Sequence, residues 1–144
     1  MSMPRFALFE QTFHHTGHPA QPYKNLSATA QLIEPGGAMR HQIPLFWDGK
    51  DVWRLRFSPP EIGRWSWQID SDDPGLDGRS GTFEVTASKR KGSIRPMTGY
   101  THHFERQDGA PFWFLGDTAW SLYVDSVPHA HDRAAAEHYI DVRA

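Results

Sequence analysis

The chain has 144 residues, of which 38% are hydrophobic and 22% are charged, and its formal net charge is −2. This composition is typical of a globular domain, and no apolar run reaches the roughly 20 residues that a membrane-spanning helix needs. The chain lacks a basic run and a cationic amphipathic helix, so neither a nucleic acid nor a membrane surface is an expected partner. Cysteine is absent, which excludes disulfides and thiolate metal sites.

The first residues, Met1 to Phe6, lead directly into alternating sequence without an apolar leader segment. We therefore expect no secretory signal peptide in this chain. The favoured location is the cytoplasm, and the alternative is a mature or trimmed form of a secreted protein.

A period of two separates apolar from polar positions in the first two thirds of the chain. Such alternation is typical of antiparallel strands that place one set of side chains in a core and the other in water. The six tryptophans are expected mainly in this core rather than on a sugar-stacking surface, because large rings suit buried sheet faces. The sets expected on the core face are Phe9, Gln11 and Phe13; Leu26, Ala28, Ala30 and Leu32; Trp53, Leu55 and Phe57; Trp65, Trp67 and Ile69; and Phe83 with Val85.

Turn-forming residues separate these runs. Asp48-Gly49 lies between Trp47 and Trp53, as expected for a hairpin turn. The other breaks are 34–37, 58–63 and 72–78, which are rich in Pro, Gly or Asp. Several short strands at this spacing indicate an antiparallel sandwich or barrel over residues 1–88.

The composition changes after residue 88. Residues 89–99 are predicted to be a linker, with a solvated loop inside one domain as the alternative. Residues 102–106 form a candidate strand, and Phe112–Leu115 is a continuous apolar run typical of a strand buried on both faces. Residues 132–144 have helical spacing, with Asp132 as a candidate N-cap. A buried strand, a loop and a helix are the first repeat of a parallel α/β unit, so residues 100–144 are predicted to be a short, incomplete β/α segment.

Several segments resemble a known enzyme family. Residues 108–120, which contain Gly116-Asp117-Thr118-Ala119-Trp120, look like the segment that opens the catalytic barrel of apiosidase-like glycoside hydrolases. Residues 136–144 are similar to the first barrel helix of that family. Upstream, residues 44–49, 53–59 and 63–65 resemble the immunoglobulin-like domain that precedes such barrels.

The resemblance implies an immunoglobulin-like β-sandwich over residues 1–88 and, over 100–144, the first strand and helix of a (β/α)8 (TIM) barrel. It also implies that the parent protein hydrolyses glycosidic bonds, with carbohydrate as its partner and without a cofactor. A barrel of this kind needs ~250 residues, so the chain covers only its start. Since the family's catalytic carboxylates lie on later strands, no residue here is predicted to be catalytic, and the chain alone is expected to be inactive.

One carboxylate occupies a position where barrel enzymes build their sites. Asp117 directly follows the predicted barrel strand, at the rim where active sites form. Glycoside hydrolysis needs two carboxyl groups roughly 5 to 9.5 Å apart, and the sequence offers no partner for Asp117. Asp117 is therefore a candidate substrate-binding residue, with Trp120 as a nearby sugar-stacking ring. The alternative is that Asp117 caps the turn and Trp120 packs in the core.

Two further residue sets could carry binding. The nine histidines include adjacent pairs at 14–15 and 102–103 and the near neighbours 129 and 131. Adjacent residues of a strand point to opposite faces, so no metal site is predicted. Arg54, Arg56 and Arg64 are expected on the polar faces of adjacent strands, paired with Asp or Glu. A carbohydrate- or anion-contacting face is the alternative for these arginines.

Two functions stay open at this point. The chain is either the N-terminal portion of a glycoside hydrolase or a stand-alone β-sandwich that binds carbohydrate or a neighbouring domain. In both cases Phe112–Leu115 has the sequence of a strand meant for burial. We expect this segment to pack on the sandwich or to support self-association, because an uncovered apolar strand pairs readily.

Overall fold

The computed structural model of the chain describes residues 1–17, 20–37, 39–116, 118, 122 and 132–143. The chain divides into two compact units, Met1–Phe112 and Trp113–Ala144. The described residues of the first unit form a one-turn helix α1 (Pro22–Asn25), a 3-10 turn (Pro35–Gly37) and eleven strands. The strands are β1 (Ser2–Pro4), β2 (Phe9–His14), β3 (Ala28–Ile33), β4 (Arg40–Pro44), β5 (Phe46–Trp47), β6 (Val52–Phe57), β7 (Gly63–Ser71), β8 (Ser80–Thr86), β9 (Ile94–Met97), β10 (Tyr100–Arg106) and β11 (Pro111–Phe112).

Two of the sheets in the first unit share the hydrophobic core. One has five strands in the order β1-β8-β7-β3-β4, and the other has three in the order β2-β6-β5. Neighbouring strands in both sheets are antiparallel except β1 and β8, which are parallel. The predicted mainly β fold with antiparallel sheets is confirmed, and its layered core is that of a β-sandwich.

Aromatic rings from the two sheets meet in the core. Phe9 of β2 stacks on Phe83 of β8, with ring centroids 4.1 Å apart. Phe57 of β6 lies 5.2 Å from the ring of Trp65 on β7. Paired rings bury large apolar areas, so these contacts help to hold the two sheets together. The other buried members of this core are Met3, Ala28, Ala30, Leu32, Leu45, Trp53, Leu55, Ile69, Leu76 and Val85.

The turns follow the predicted breaks. The β5–β6 hairpin turns at residues 48–51, and the N–H of Val52 donates to the carbonyl of Gly49 at 2.9 Å. Gly49 and Lys50 both have positive φ angles, of 94° and 51°. This left-handed conformation favours glycine, which explains the glycine at position 49. Residues 58–62 carry the chain from one sheet to the other, and residues 72–79 connect the antiparallel strands β7 and β8.

A third sheet follows the sandwich in the same unit. Its strand order is β11-β10-β9, with an irregular register between Tyr100 and Phe104 on β10. Strand β9 lies within residues 89–99, which were predicted to be a linker. The candidate strand at 102–106 lies within β10. The domain boundaries inferred from the sequence stay a prediction.

The apolar run Phe112–Leu115 does not form the buried strand that the sequence predicted. Only Pro111 and Phe112 are in a strand, paired antiparallel with β10. Trp113, Phe114 and Leu115 are 83%, 66% and 83% exposed. Burial on both faces is typical of strands inside a sheet that is covered on both sides, whereas β11 is the end strand of its sheet in the described part of the chain.

The second unit contains helix α2 (Arg133–Arg143). The Asp132 carboxylate accepts a hydrogen bond from the N–H of Ala135 at 2.7 Å, so the predicted N-cap is confirmed. Arg133 and Glu137 form an i,i+4 ion pair at 2.8 Å. Ala136 is buried, whereas Ile140 and Val142 are exposed. No helix in the described part of the chain is long and apolar enough to cross a membrane.

Candidate functional site

The two residues predicted to contact substrate, Asp117 and Trp120, lie outside the described residues. The same holds for His129 and His131. The site proposed at the barrel rim therefore stays a prediction. The carboxylates and aromatic rings of the first unit are the described groups from which a site can be assembled.

Arginines on β6 form ion pairs with the carboxylate of Glu10 on β2. Arg54 donates from Nη1 to Glu10 at 2.6 Å and from Nε to Asp48 at 2.5 Å, and Arg56 also donates to Glu10. The hydrogen bond from Arg56, followed by that from Arg54, lowers the pKa of Glu10. These contacts confirm the predicted salt-bridged face for Arg54 and Arg56. The prediction that Arg64 lies on an adjacent strand is wrong, because β7 belongs to the other sheet.

Asp73 is buried and holds two loops together. Its carboxylate accepts hydrogen bonds from the backbone N–H groups of Thr16 at 3.0 Å, Gly17 at 2.8 Å and Gly75 at 2.8 Å. Burial by itself would raise the pKa of Asp73, but these three donors lower it on balance. Asp73 thus stays ionised and acts as a structural acceptor.

Two more carboxylates are paired. Asp51 lies 2.8 Å from Nδ1 of His14, and this hydrogen bond lowers the pKa of Asp51. Glu105 is buried on β10 and accepts from Arg95 at 2.8 Å. Every carboxyl pKa that shifts in the described residues shifts downward, for Glu10, Asp51 and Asp73. A general acid of glycoside hydrolysis needs the opposite, a carboxyl that keeps its proton near neutral pH.

An aromatic groove lies at the edge of the sandwich and has a volume of about 370 Å³. The indole of Trp67 lies against Gly81 on β8, where an added Cβ would be 2.7 Å from Cζ2 of the indole. Phe13 packs edge-on against Trp67, with centroids 5.5 Å apart. The polar groups that line the groove belong to Thr12, His14, Arg79 and Ser80.

The lining of this groove contains the types of groups that carbohydrate sites use. A half-buried indole provides an apolar face, and hydroxyl, imidazole and guanidinium groups around it provide hydrogen-bond partners. Arg79 is held in place by a hydrogen bond from its Nε to the carbonyl of Gly75 at 3.0 Å. The groove therefore combines the indole of Trp67 with the guanidinium of Arg79, which is hydrogen-bonded to the backbone.

A second aromatic surface is more open. Tyr23 is 57% exposed and Trp47 is 36% exposed, and their ring centroids are 5.7 Å apart. The indole N–H of Trp47 donates to the carbonyl of Lys50 at 2.8 Å, which fixes this ring on the hairpin. The two rings form an exposed aromatic pair, and the ammonium of Lys24 lies 5.6 Å from the centroid of the Tyr23 ring.

The groove was not predicted from the sequence, because the residues that line it belong to separate strands and loops. Trp67 was assigned to the core by its alternation with Trp65 and Ile69, yet it is half-buried and packs at the margin of the core. Phe13 is likewise half-buried. A signal was present in Gly81, because a glycine inside a strand often marks the close approach of another group. Among the residues described, no group of three or more His, Asp or Glu could hold a metal ion.

Comparisons with known proteins agree with this architecture. Residues 2–72 match a family described as "Domain of unknown function (DUF5060)". The crystal structure of a candidate glycoside hydrolase from Bacteroides vulgatus is similar to this chain, with a TM-score of 0.72 and 24% sequence identity. The similar region covers 84% of this chain and 23% of that protein. No curated protein matches the chain. At this identity the likeness establishes the fold, and the chain spans less than a quarter of the length of the solved protein it resembles.

Proposed function

We propose that this chain is the N-terminal portion of a glycoside hydrolase of the apiosidase-like type and that it is catalytically inactive on its own. The observation that carries the proposal is the structural similarity to 23% of a candidate glycoside hydrolase at a TM-score of 0.72. The sequence of residues 108–120 points to the same class of enzyme through its resemblance to the start of a catalytic barrel. In this proposal, residues 1–88 form an accessory sandwich, and residues 100–144 supply the first strand and helix of the barrel.

The proposed inactivity rests on the carboxylates. Hydrolysis with either stereochemical outcome requires one carboxyl group as acid and a second as nucleophile or base. Glu10 and Asp73 are committed to arginines and to backbone N–H groups, and their pKa values are lowered. Neither is placed to deliver a proton to a leaving group at neutral pH. The catalytic pair is proposed to come from later strands of a longer polypeptide.

The experiment compares two proteins on a panel of aryl glycosides. The first is the 144-residue chain, and the second is the longest open reading frame that contains it. We expect hydrolysis by the longer protein and none by the 144-residue chain. Hydrolysis by the shorter chain would contradict the proposed inactivity. A reading frame without further strand and helix repeats would contradict the proposed enzyme.

The proposed role of Asp117 and Trp120 is tested in the same longer protein. If Asp117 and Trp120 contact substrate, Asp117→Asn and Trp120→Ala should raise KM or lower kcat while the protein keeps its melting temperature. Arg133→Ala is a suitable control, because Arg133 is 90% exposed and pairs only with Glu137 on α2 in the described residues. Unchanged kinetics in both test variants would remove Asp117 and Trp120 from the substrate site.

A second candidate function is favoured by the aromatic groove. In this alternative the sandwich binds carbohydrate by itself, through stacking on Trp67 and hydrogen bonds from the surrounding polar groups. Isothermal titration with xylan, pectin and arabinan fragments tests it. Heat of binding that disappears in Trp67→Ala supports the alternative, and flat titrations with the unchanged chain favour a domain-interaction role.

A further inference from the structure

A second cavity, of about 400 Å³, has a basic lining. It lies in the first unit, where residues 90–93 approach the end of β10. Its cationic side chains belong to Arg90, Lys91 and Arg106, and its polar neutral ones to Ser58 and Ser93. No carboxylate lines it among the described residues, and the aromatic ring at its wall is that of Phe6.

The cations of this cavity differ from the arginines that form ion pairs in the first unit. Arg54, Arg56 and Arg95 each form an ion pair with Asp or Glu. Across the residues that the structure describes, Arg90, Lys91 and Arg106 form no such pair with Asp or Glu. Three like charges around one concavity raise the local concentration of anions and favour a negatively charged ligand.

Arg106 makes two contacts that leave its positive charge without a counter-charge. Its Nη1 donates to the carbonyl of Gly92 at 3.4 Å, and its guanidinium lies 4.5 Å from the centroid of the Phe112 ring. Neither contact supplies a counter-charge. A guanidinium has five N–H donors, so several remain to bind a carboxylate.

The wall that carries Lys91 and Ser93 is tied to the turn after β10. The N–H of Asp108 donates to the carbonyl of Lys91 at 3.2 Å, and the N–H of Gln107 donates to the carbonyl of Ser93 at 3.0 Å. In return, Oε1 of Gln107 accepts from the N–H of Ser93 at 3.1 Å. A wall that is already ordered lowers the entropic cost of binding a ligand.

Phe6, which also lines the cavity, has an unusual backbone conformation. Phe6 has a φ of 62°, which a bulky residue rarely adopts, and its N–H donates to the carbonyl of Pro59 at 3.0 Å. The guanidinium of Arg5 lies 4.3 Å from the centroid of the Phe6 ring, and Nε of Arg5 is buried without a hydrogen-bond partner in the described structure. Strained backbone of this kind is concentrated at binding and catalytic sites. Arg5 thus adds a further positive charge next to the Phe6 ring.

We propose that this cavity binds the carboxylate of an acidic saccharide, a uronate residue of a polysaccharide. Arginine and lysine provide the charge-assisted hydrogen bonds that a carboxylate accepts, and the two serine hydroxyls suit the hydroxyl groups of a sugar ring. The cavity is many times larger than the roughly 30 Å³ that one water molecule occupies, so a small inorganic ion fills little of it. The choice of a saccharide as the carrier of the carboxylate rests on the proposed glycoside hydrolase.

The test is a titration of the 144-residue chain with trigalacturonate and with the same trisaccharide in its fully methyl-esterified form. The two ligands share the same sugar backbone, and the ester carries an uncharged methyl ester in place of each carboxylate. The acid should bind at least about tenfold more tightly than the ester, since charge-assisted contacts are lost in the ester. Its affinity should fall as salt is added. Equal affinity for both ligands, no binding of the acid, or equally tight binding of inorganic sulfate would overturn the proposal.

Variants locate the site. Arg106→Ala and Lys91→Ala should each weaken trigalacturonate binding by about tenfold. Lys91 is exposed, so its replacement leaves the fold intact even if Arg106→Ala does not fold. Arg40→Ala, which removes an exposed arginine from β4 instead, should leave the affinity unchanged. Equal losses in Arg40→Ala and Lys91→Ala would contradict the location. Failure of this proposal leaves the glycoside hydrolase standing, because that enzyme is tested by hydrolysis in the longer protein.

Discussion

Arg54 joins Glu10 to the β5–β6 turn. Its Nη1 donates to Glu10 on β2 at 2.6 Å, and its Nε donates to Asp48 in the turn at 2.5 Å. Glu10 also accepts from Arg56, so one carboxylate on β2 accepts hydrogen bonds from two arginines of the neighbouring strand β6. The sheet β2-β6-β5 is thus held together by ion pairs between side chains as well as by backbone hydrogen bonds.

The Glu10 network predicts a loss of stability in acid. The arginines lower the pKa of Glu10 below its ordinary value of 4.5, so the folded state holds the ionised form more strongly than the unfolded state does. The stabilisation is present above pH 4.5 and is lost as the pH falls through the lower pKa of the folded protein. In Glu10→Gln the melting temperature should fall less steeply between pH 5 and about pH 3. Thermal unfolding over this range checks the prediction, and parallel curves for both proteins would contradict it.

Asp73 is expected to be the most sensitive polar position in the loops. Asp73→Ala removes the acceptor for the N–H groups of Thr16, Gly17 and Gly75. The free energy of unfolding should drop by about 2 to 3 kcal/mol, the cost of leaving buried donors unpaired. Urea unfolding measures it, and amide exchange should accelerate at Thr16 and Gly17. Asp70→Asn, at an exposed position of β7, is the matched control and should stay within about 0.5 kcal/mol of the original chain.

Two leucines that differ in burial test the packing of the core. Leu32 is 0% exposed between the two sheets, whereas Leu8 is 62% exposed. Leu32→Ala should lower the free energy of unfolding by about 2 to 5 kcal/mol through lost burial and the cavity left behind. Leu8→Ala should change it by about 0.5 kcal/mol or less. Similar values for the two variants would show that the sandwich core is not packed as described.

The strands of the sandwich could be predicted because each has one buried face. Trp53 and Leu55 alternate with Arg54 and Arg56, and the burial of β6 follows the same period of two. The breaks between strands were equally visible, since Asp48-Gly49 and the glycines after Pro35 meet the conformational needs of tight turns. Strands and turns depend mainly on residues that are close together in sequence, so their positions could be predicted from the sequence alone.

The pairing of the strands and the groove could not be predicted in the same way. Arg54 and Arg64 have similar sequence surroundings, yet they lie in different sheets, because residues 58–62 cross from one sheet to the other. The groove joins Phe13 and Trp67, which are 54 residues apart (67 − 13) and meet only through the packing of two sheets. Contacts of this kind depend on tertiary structure and leave no local period.

Trp67 and Trp47 provide a paired test of the carbohydrate-binding alternative. If the groove binds sugar, Trp67→Ala should abolish the heat of binding to neutral oligosaccharides. Trp47→Ala, which truncates an exposed indole outside the groove, should leave it unchanged. Because Trp67 also packs on the core, Arg79→Ala is a second test variant at an exposed position of the groove. Losses of the same size in the Trp47 and Trp67 variants would argue against the groove as the site.

The exposed run after β11 predicts self-association of the isolated chain. Trp113 and Leu115 are each 83% exposed, and contiguous exposed apolar side chains favour contacts between molecules. Sedimentation velocity of the 144-residue chain should show an association that strengthens with concentration and that is weakened in the double variant Trp113→Ser and Leu115→Ser. Leu8→Ser removes one exposed apolar side chain elsewhere and should not change the association. A concentration-independent monomer would mean that this apolar run does not mediate self-association.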